Sequence, residues 1–179
     1  MSDDRLDAWL PSPAVRIEHS RRAAAGPDAL WRAASTVRLR DTRTLGRVVR
    51  WRIPGLDPAL TYHELFRGYP FTVLEEDEGR LVSGLVGRIW TLARDYPRLH
   101  GPDAFAAWSQ PGTVRVVLAN WVRADGDGSV LLSESRVQPV DRAAALRLRA
   151  LWSVVGPFQR LIGVEPLSLA ARRASAGSG

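Results

Sequence analysis

The sequence contains no cysteine and no lysine, and it has a single methionine. Without cysteine the 179-residue chain can form no disulfide, no thiolate nucleophile and no cysteine-ligated metal site, and it fits a reducing compartment. No window approaches the roughly 18 apolar residues that a membrane span needs. The opening residues, MSDDRLDAWLPSP, are acidic and unlike a secretory signal. These absences predict a cytoplasmic protein without a membrane span.

The lack of lysine means that all 25 basic residues are arginine, and the net charge is +6. A basic chain can be interpreted as a nucleic-acid-binding protein when the charge is concentrated on one element. Here the arginines are spread along the sequence, and no aromatic RNA-binding motif accompanies them. We therefore expect no nucleic-acid partner.

The composition, 45% hydrophobic and 25% charged, is typical of a globular protein with a sizeable core. We expect residues 1–12 to be a flexible leader, because prolines mark its end. Residues 13–174 are expected to form a single domain, since no repeat or interior linker divides them. Residues 175–179 are expected to be a disordered tail.

Hydrophobic periodicity predicts the order of the elements in the first half of the chain. Alternation from Ala14 to Ala25 predicts a strand, and Pro27 then suits the first position of a helix. A second helical piece is predicted from Arg43 to Trp51. Turn residues at 77–79 predict a hairpin that joins Phe71–Glu76 to Arg80–Trp90.

The second half predicts another hairpin followed by a long helix. The turn sequence DGDG at 125–128 separates two β-prone runs. Asp141 is a candidate N-cap for the helix that follows, because its carboxylate can accept from the first free backbone N–H groups. Pro157, inside the helical pattern, predicts a kink. A kinked helix can cover a curved sheet without filling all the space beneath it.

This order resembles the helix-grip fold of the START-related superfamily, also called SRPBCC, which includes pollen allergens, lipid-transfer domains and polyketide cyclase/dehydrase-like proteins. The segments that carry the resemblance are EHSRRAAAGPDALWRAA, GLVGRIW, SESRV and RLRALWSVVGPFQRLI. They are similar to an uncharacterised bacterial branch, over about residues 14–174. The resemblance implies an α+β fold in which a curved antiparallel sheet wraps around a long C-terminal helix. It also implies a hydrophobic ligand between the two.

The predicted ligand site depends on the register of the last two strands. A turn of three residues directs Glu134 and Arg136 inward, beside Asn120. A turn of four directs both charges outward and instead brings in Leu131, Ser133, Ser135 and Val137. With the inward alternative, Glu134 anchors a polar ligand group and Arg136 pairs with it or meets an acidic head group. The predicted lining is Leu118, Asn120, Leu132, Glu134, Arg136, Leu148, Trp152 and Val155.

These residues predict the binding of a small hydrophobic molecule, with no catalytic residue, cofactor or metal ligand assigned. One alternative is a cyclase- or dehydratase-type enzyme in which Glu134 is the acid–base group and Asn120 polarises a carbonyl. Another is a regulatory protein-interaction domain with a filled core. His19, His63 and His100 lack metal-ligand spacing, and we expect them to lie at the surface or in satisfied core positions.

Overall fold

The strands pair into one antiparallel sheet in which the first strand lies beside the last. The structure is a computed structural model that describes residues 4–47, 55, 57–91, 95–156 and 159–177. Within these ranges the sheet has five strands in the order β1-β5-β4-β3-β2. Their bounds are β1 (Val15–Ala23), β2 (Thr72–Asp77), β3 (Arg80–Gly87), β4 (Val114–Asp125) and β5 (Gly128–Pro139).

The first four helices begin where the sequence offers a proline or a cap. The helix bounds are α1 (Pro27–Ser35), α2 (Tyr62–Arg67), α3 (Pro102–Ala106), α4 (Arg142–Val155) and α5 (Gln159–Ala176), with 3-10 helices at Asp4–Ala8 and Leu39–Asp41. The predicted cap at Asp141 is confirmed, because its Oδ1 accepts from the backbone N–H of Ala144 at 2.7 Å. No helix in the described ranges is long and apolar enough to cross a membrane.

The sheet has an inner face that the helices cover. Its residues in β4 and β5 are Val116, Leu118, Asn120, Val122, Leu131, Ser133, Ser135 and Val137. Leu148 of α4 packs in one apolar cluster with Val116 and Val137. Leu167 of α5 and Ala34 of α1 pack in another cluster around Leu131. The fold is therefore α+β, a curved antiparallel sheet with C-terminal helices across one face, as the resemblance implies.

The described part of the C-terminal segment is helical, as predicted. Two helices, α4 and α5, succeed each other in the described ranges, and the predicted kink at Pro157 lies outside the described residues. The last helix continues through Ala176, two residues into the segment expected as a disordered tail. The helical piece predicted from Arg43 to Trp51 extends beyond the described residues, which stop at 47.

The opposite side of the sheet, the outer face, is covered by the segment that was expected to be a flexible leader. Residues 4–8 instead form a 3-10 helix. Leu6 and Leu10 are fully buried against Val117 of β4 and Phe105 of α3, while Trp9 Nε1 donates to Glu75 Oε1 at 2.5 Å. Apolar residues at positions 6, 9 and 10 have helical spacing and form one stripe. That stripe covers the part of the outer face around Val117.

Candidate functional site

The turn between β4 and β5 decides which side chains face the helices. The innermost pair is Asp125 with Gly128, so two residues lie between the paired positions. The four-residue alternative directs the same side chains to each face, because its turn also contains an even number of residues. Asn120 pairs with Ser133 on the inner face. Glu134 lies on the outer face.

The predicted lining is divided between the two faces. Leu118, Asn120, Leu148 and Trp152 lie on the side that the helices cover. The placement of Leu132, Glu134 and Arg136 in a cavity between sheet and helices is wrong, because these three residues lie on the outer face. Side chains alternate along a strand, so one step of register moves every one of them to the other face. The side chain of Val155 lies outside the described part of the chain.

Glu134 and Arg136 are nevertheless buried, because the N-terminal segment lies over them. Arg136 donates from Nε to Glu134 Oε1 at 2.6 Å and from Nη1 to the Leu10 carbonyl oxygen at 3.2 Å. It also donates to the Asp7 carboxylate. From β1, Arg16 Nε lies 2.9 Å from Glu134 Oε1.

This network balances charge inside the protein. Burial would lower the pKa of Arg136, but its hydrogen bonds to Asp7 and Glu134 raise that pKa overall, so the guanidinium stays charged. Glu134 in turn lies between two arginines. The pair therefore joins the N-terminal segment to the sheet and is occupied with protein contacts.

Glu134→Gln is expected to lower the free energy of unfolding by about 3 kcal/mol, because it leaves part of a buried ion network without its counter-charge. Urea denaturation followed by tryptophan fluorescence measures the change. Glu78→Gln, at the exposed hairpin tip, is the matched control and should stay within about 0.5 kcal/mol of the wild type. A loss for Glu134→Gln no larger than that of the control would show that the network is not structural.

On the inner face, the start of α2 brings two further polar side chains over the sheet. Thr61 caps this helix: its side chain accepts from the Glu64 N–H at 3.2 Å, and the Glu64 carboxylate accepts from the Thr61 N–H at 2.8 Å. The first turn therefore begins at Tyr62. Burial raises the pKa of Tyr62 to about 12, although its hydroxyl is hydrogen-bonded to Ser133 and Asn120. The hydroxyl keeps its proton at neutral pH.

His63, the next residue, is almost completely buried, and its hydrogen bonds define its tautomer. Nδ1 lies 2.9 Å from Ser35 Oγ, and that hydroxyl lies 3.0 Å from the Trp31 carbonyl oxygen. Since a carbonyl only accepts, the Ser35 hydroxyl donates to Trp31 and accepts from Nδ1–H. The lone pair is then on Nε2, which has no hydrogen-bond partner in the described part of the chain.

The same histidine is neutral at physiological pH. Burial lowers its pKa to about 4, the positive charge of Arg67 adds to this effect, and Glu76 opposes it. The ring packs on Trp31, with ring centroids 4.4 Å apart. The sequence analysis gave His63 no role in the site, because no residue at metal-ligand spacing accompanies it. The capping pattern T-x-x-E before Leu65 was the available signal, since it shows where the helix begins.

His63, Tyr62 and Asn120 meet at a small cavity between the sheet and the helices. Its volume is about 10 Å³, close to the space of one water molecule. Asn120 Oδ1 is buried and, like His63 Nε2, lacks a hydrogen-bond partner among the described residues. An unsatisfied buried polar group costs about 1–3 kcal/mol. The described residues that line the cavity are Ala34, Tyr62, His63, Asn120, Leu131, Pro166 and Leu167.

Next to this cavity, the centre of the inner face stays partly exposed. Leu118 and Ser135 are paired across β4 and β5, and both are only half-buried. On the outer face, the adjacent Val117 and Arg136 are both fully buried. The helices therefore cover the middle of the sheet less completely than the N-terminal segment covers its other side.

No protein-family model matches the chain, and no curated protein matches it. Solved structures do. Protein MLL2253 from Mesorhizobium loti is 14% identical, with a TM-score of 0.39 over 88% of this chain and 98% of its own. The Zhui aromatase/cyclase from Streptomyces sp. R1128 is 16% identical, with a TM-score of 0.33 over 92% of this chain and 98% of its own.

A third match is the di-domain aromatase/cyclase StfQ from the steffimycin biosynthetic pathway. It is 13% identical, with a TM-score of 0.34, and the alignment covers 92% of this chain and 52% of StfQ. Similarity at this level does not transfer a chemistry from one protein to another. The fold class therefore rests on the strand order and on the helices that cover the inner face.

Acid is expected to destabilise the protein through His63. The unfolded chain takes up a proton near the usual histidine pKa of about 6.5, whereas the folded chain does so only near pH 4. The stability contributed by the neutral ring is thus fully present above pH 6.5 and is lost as the pH falls through 4. The loss is about 3 kcal/mol.

The measurement is the difference in free energy of unfolding between the wild type and His63→Phe, from urea denaturation at pH 7 and pH 4. Subtraction cancels the other acidic groups, so the wild type should lose about 3 kcal/mol more than the variant on acidification. His100→Phe, which changes an exposed histidine, is the control. Parallel pH dependences of wild type and His63→Phe would contradict a depressed histidine pKa.

Proposed function

We propose that the protein binds a small, largely apolar molecule on the inner face of the sheet, under the C-terminal helices. The observation that carries this proposal is the partial exposure of Leu118 and Ser135 at the centre of the sheet. Apolar side chains that face covering helices are ordinarily closed off by packing. Partial exposure at this point supports a space that a ligand completes.

The surroundings of Leu118 suit such a ligand. Phe71, Val73 and Trp152 are also half-buried and pack with Leu118 in the apolar clusters of the inner face. Asn120 lies two residues after Leu118 on the same face of β4, together with the polar side chains around it. Ligand sites commonly combine mostly apolar walls with a few polar groups that fix orientation.

The position of Glu134 argues against the cyclase- or dehydratase-type alternative that needs it as the acid–base group. This carboxylate lies on the outer face and is engaged by Arg136 and Arg16. The binding proposal requires no reaction. It places the recognition of an apolar body at Leu118 and the recognition of a polar group at Asn120.

Leu118→Trp is expected to block binding, because a larger ring fills the space over the centre of the sheet. The probe is N-phenyl-1-naphthylamine, a neutral apolar dye whose fluorescence rises when it leaves water. We expect the wild type to bind it and Leu118→Trp to bind it about tenfold more weakly or worse.

Leu146→Trp is the matched control, since this leucine is 64% exposed on α4 and its replacement leaves the inner face unchanged. The control should retain wild-type affinity, and thermal melting should show that both variants are folded. Wild-type protein that does not bind the dye, or equal affinity in Leu118→Trp, would overturn the proposal and favour a domain with a filled core.

A further inference from the structure

We propose that the polar group of the ligand is a hydroxyl, bound as a hydrogen-bond donor by His63 Nε2 and Asn120 Oδ1. This inference rests on the proposed function and specifies the chemistry of the same site. The two atoms belong to different elements, α2 and β4, yet they meet at one cavity. Neither has a hydrogen-bond partner in the described part of the chain.

Both atoms are acceptors, and this decides which groups they can bind. The Ser35 hydroxyl takes the Nδ1–H of His63, so Nε2 presents a lone pair. The unpartnered atom of Asn120 is its carbonyl oxygen. A ligand carbonyl or carboxylate is itself an acceptor, so it could form no hydrogen bond with either lone pair. A group that donates a hydrogen can bond both, since one O–H can be shared between two acceptors in a three-centre hydrogen bond.

A charged donor is excluded by the surroundings. Among the residues that the structure describes, the side chains lining the cavity are neutral and none is a carboxylate. A buried ammonium without a counter-charge is costly. The imidazole is itself neutral, since burial lowers the pKa of His63 to about 4. A neutral hydroxyl meets both conditions, and its oxygen is of the size that a volume of about 10 Å³ admits.

Tyr62, next to the cavity, positions the side chain of Asn120. Its hydroxyl is protonated at neutral pH and hydrogen-bonded to Asn120 and Ser133. The phenol therefore holds the amide in place beside the cavity. Leu118 lies two residues before Asn120 on the same face of β4, so an apolar body over Leu118 can extend its hydroxyl toward the acceptors.

Three probes of one shape test the inference: 2-naphthol, 2-methylnaphthalene and 2-naphthaldehyde. The first has a donor, the second a methyl group of similar size, and the third only an acceptor. Dissociation constants come from quenching of the intrinsic tryptophan fluorescence. We expect 2-naphthol to bind about tenfold or more tightly than either of the others, since an unmade hydrogen bond to a buried group is unfavourable.

The preference for 2-naphthol should largely disappear in His63→Phe and in Asn120→Leu, while His100→Phe retains it. Equal affinities for the three probes in the wild type, or an unchanged preference in both variants, would overturn the inference and leave the binding proposal intact. Failure of all three probes to bind would overturn both. The wild-type comparison decides the question even if a variant does not fold.

Discussion

The register of the β4–β5 hairpin is the constraint on which the rest of the structure depends. Because successive side chains on a strand face opposite sides, the number of residues in the turn assigns every side chain of both strands to a face. With Asp125 paired to Gly128, Asn120 and Ser133 face the helices and Glu134 faces away. One residue more or fewer in the turn would bring Glu134 to the face of Asn120 and move Ser133 away from it. The location of any ligand site follows from this pairing.

The two faces of the sheet differ in whether their buried polar side chains have partners. On the outer face, Arg136 and Glu134 are completely enclosed, and they are stable there because each charge has a partner of opposite sign. The N-terminal segment supplies Asp7 for this network and Leu6 for the apolar seal. On the inner face, His63 Nε2 and Asn120 Oδ1 lack a hydrogen-bond partner among the residues that the structure describes, and Leu118 is partly exposed. The middle of the sheet is therefore covered more completely on its outer face, at Val117 and Arg136, than on its inner face at Leu118.

Much of the fold could be predicted from the sequence, because its signals are local. Period-two alternation, Pro27 at a helix start and Asp141 as a cap all act within a few residues, and the structure contains the elements they indicate. The DGDG turn also lies where it was expected. Its residue count was not predictable, since Asp and Gly suit turns of several lengths. That ambiguity left the face of Glu134 open.

The candidate site itself was only partly predictable. Asn120, Leu118 and Trp152 were identified because they lie on long elements with clear periodicity. His63 was missed because its environment is made by distant segments: Ser35 is 28 residues away in sequence, and Asn120 lies further still. The N-terminal segment was misjudged for a similar reason. Its acidic composition suggested a loose leader, whereas its apolar stripe is complemented only by the folded sheet.

The central claim is that a ligand enters on the inner face, and leucine methyl NMR tests it most directly. Leu118 and Leu132 lie on neighbouring strands and face opposite sides of the same sheet. During a titration with N-phenyl-1-naphthylamine, the Leu118 methyl signals should shift, while those of Leu132 and of Leu10 in the N-terminal segment stay in place. Shifts confined to Leu132 and Leu10, or no shift at Leu118, would contradict the claim.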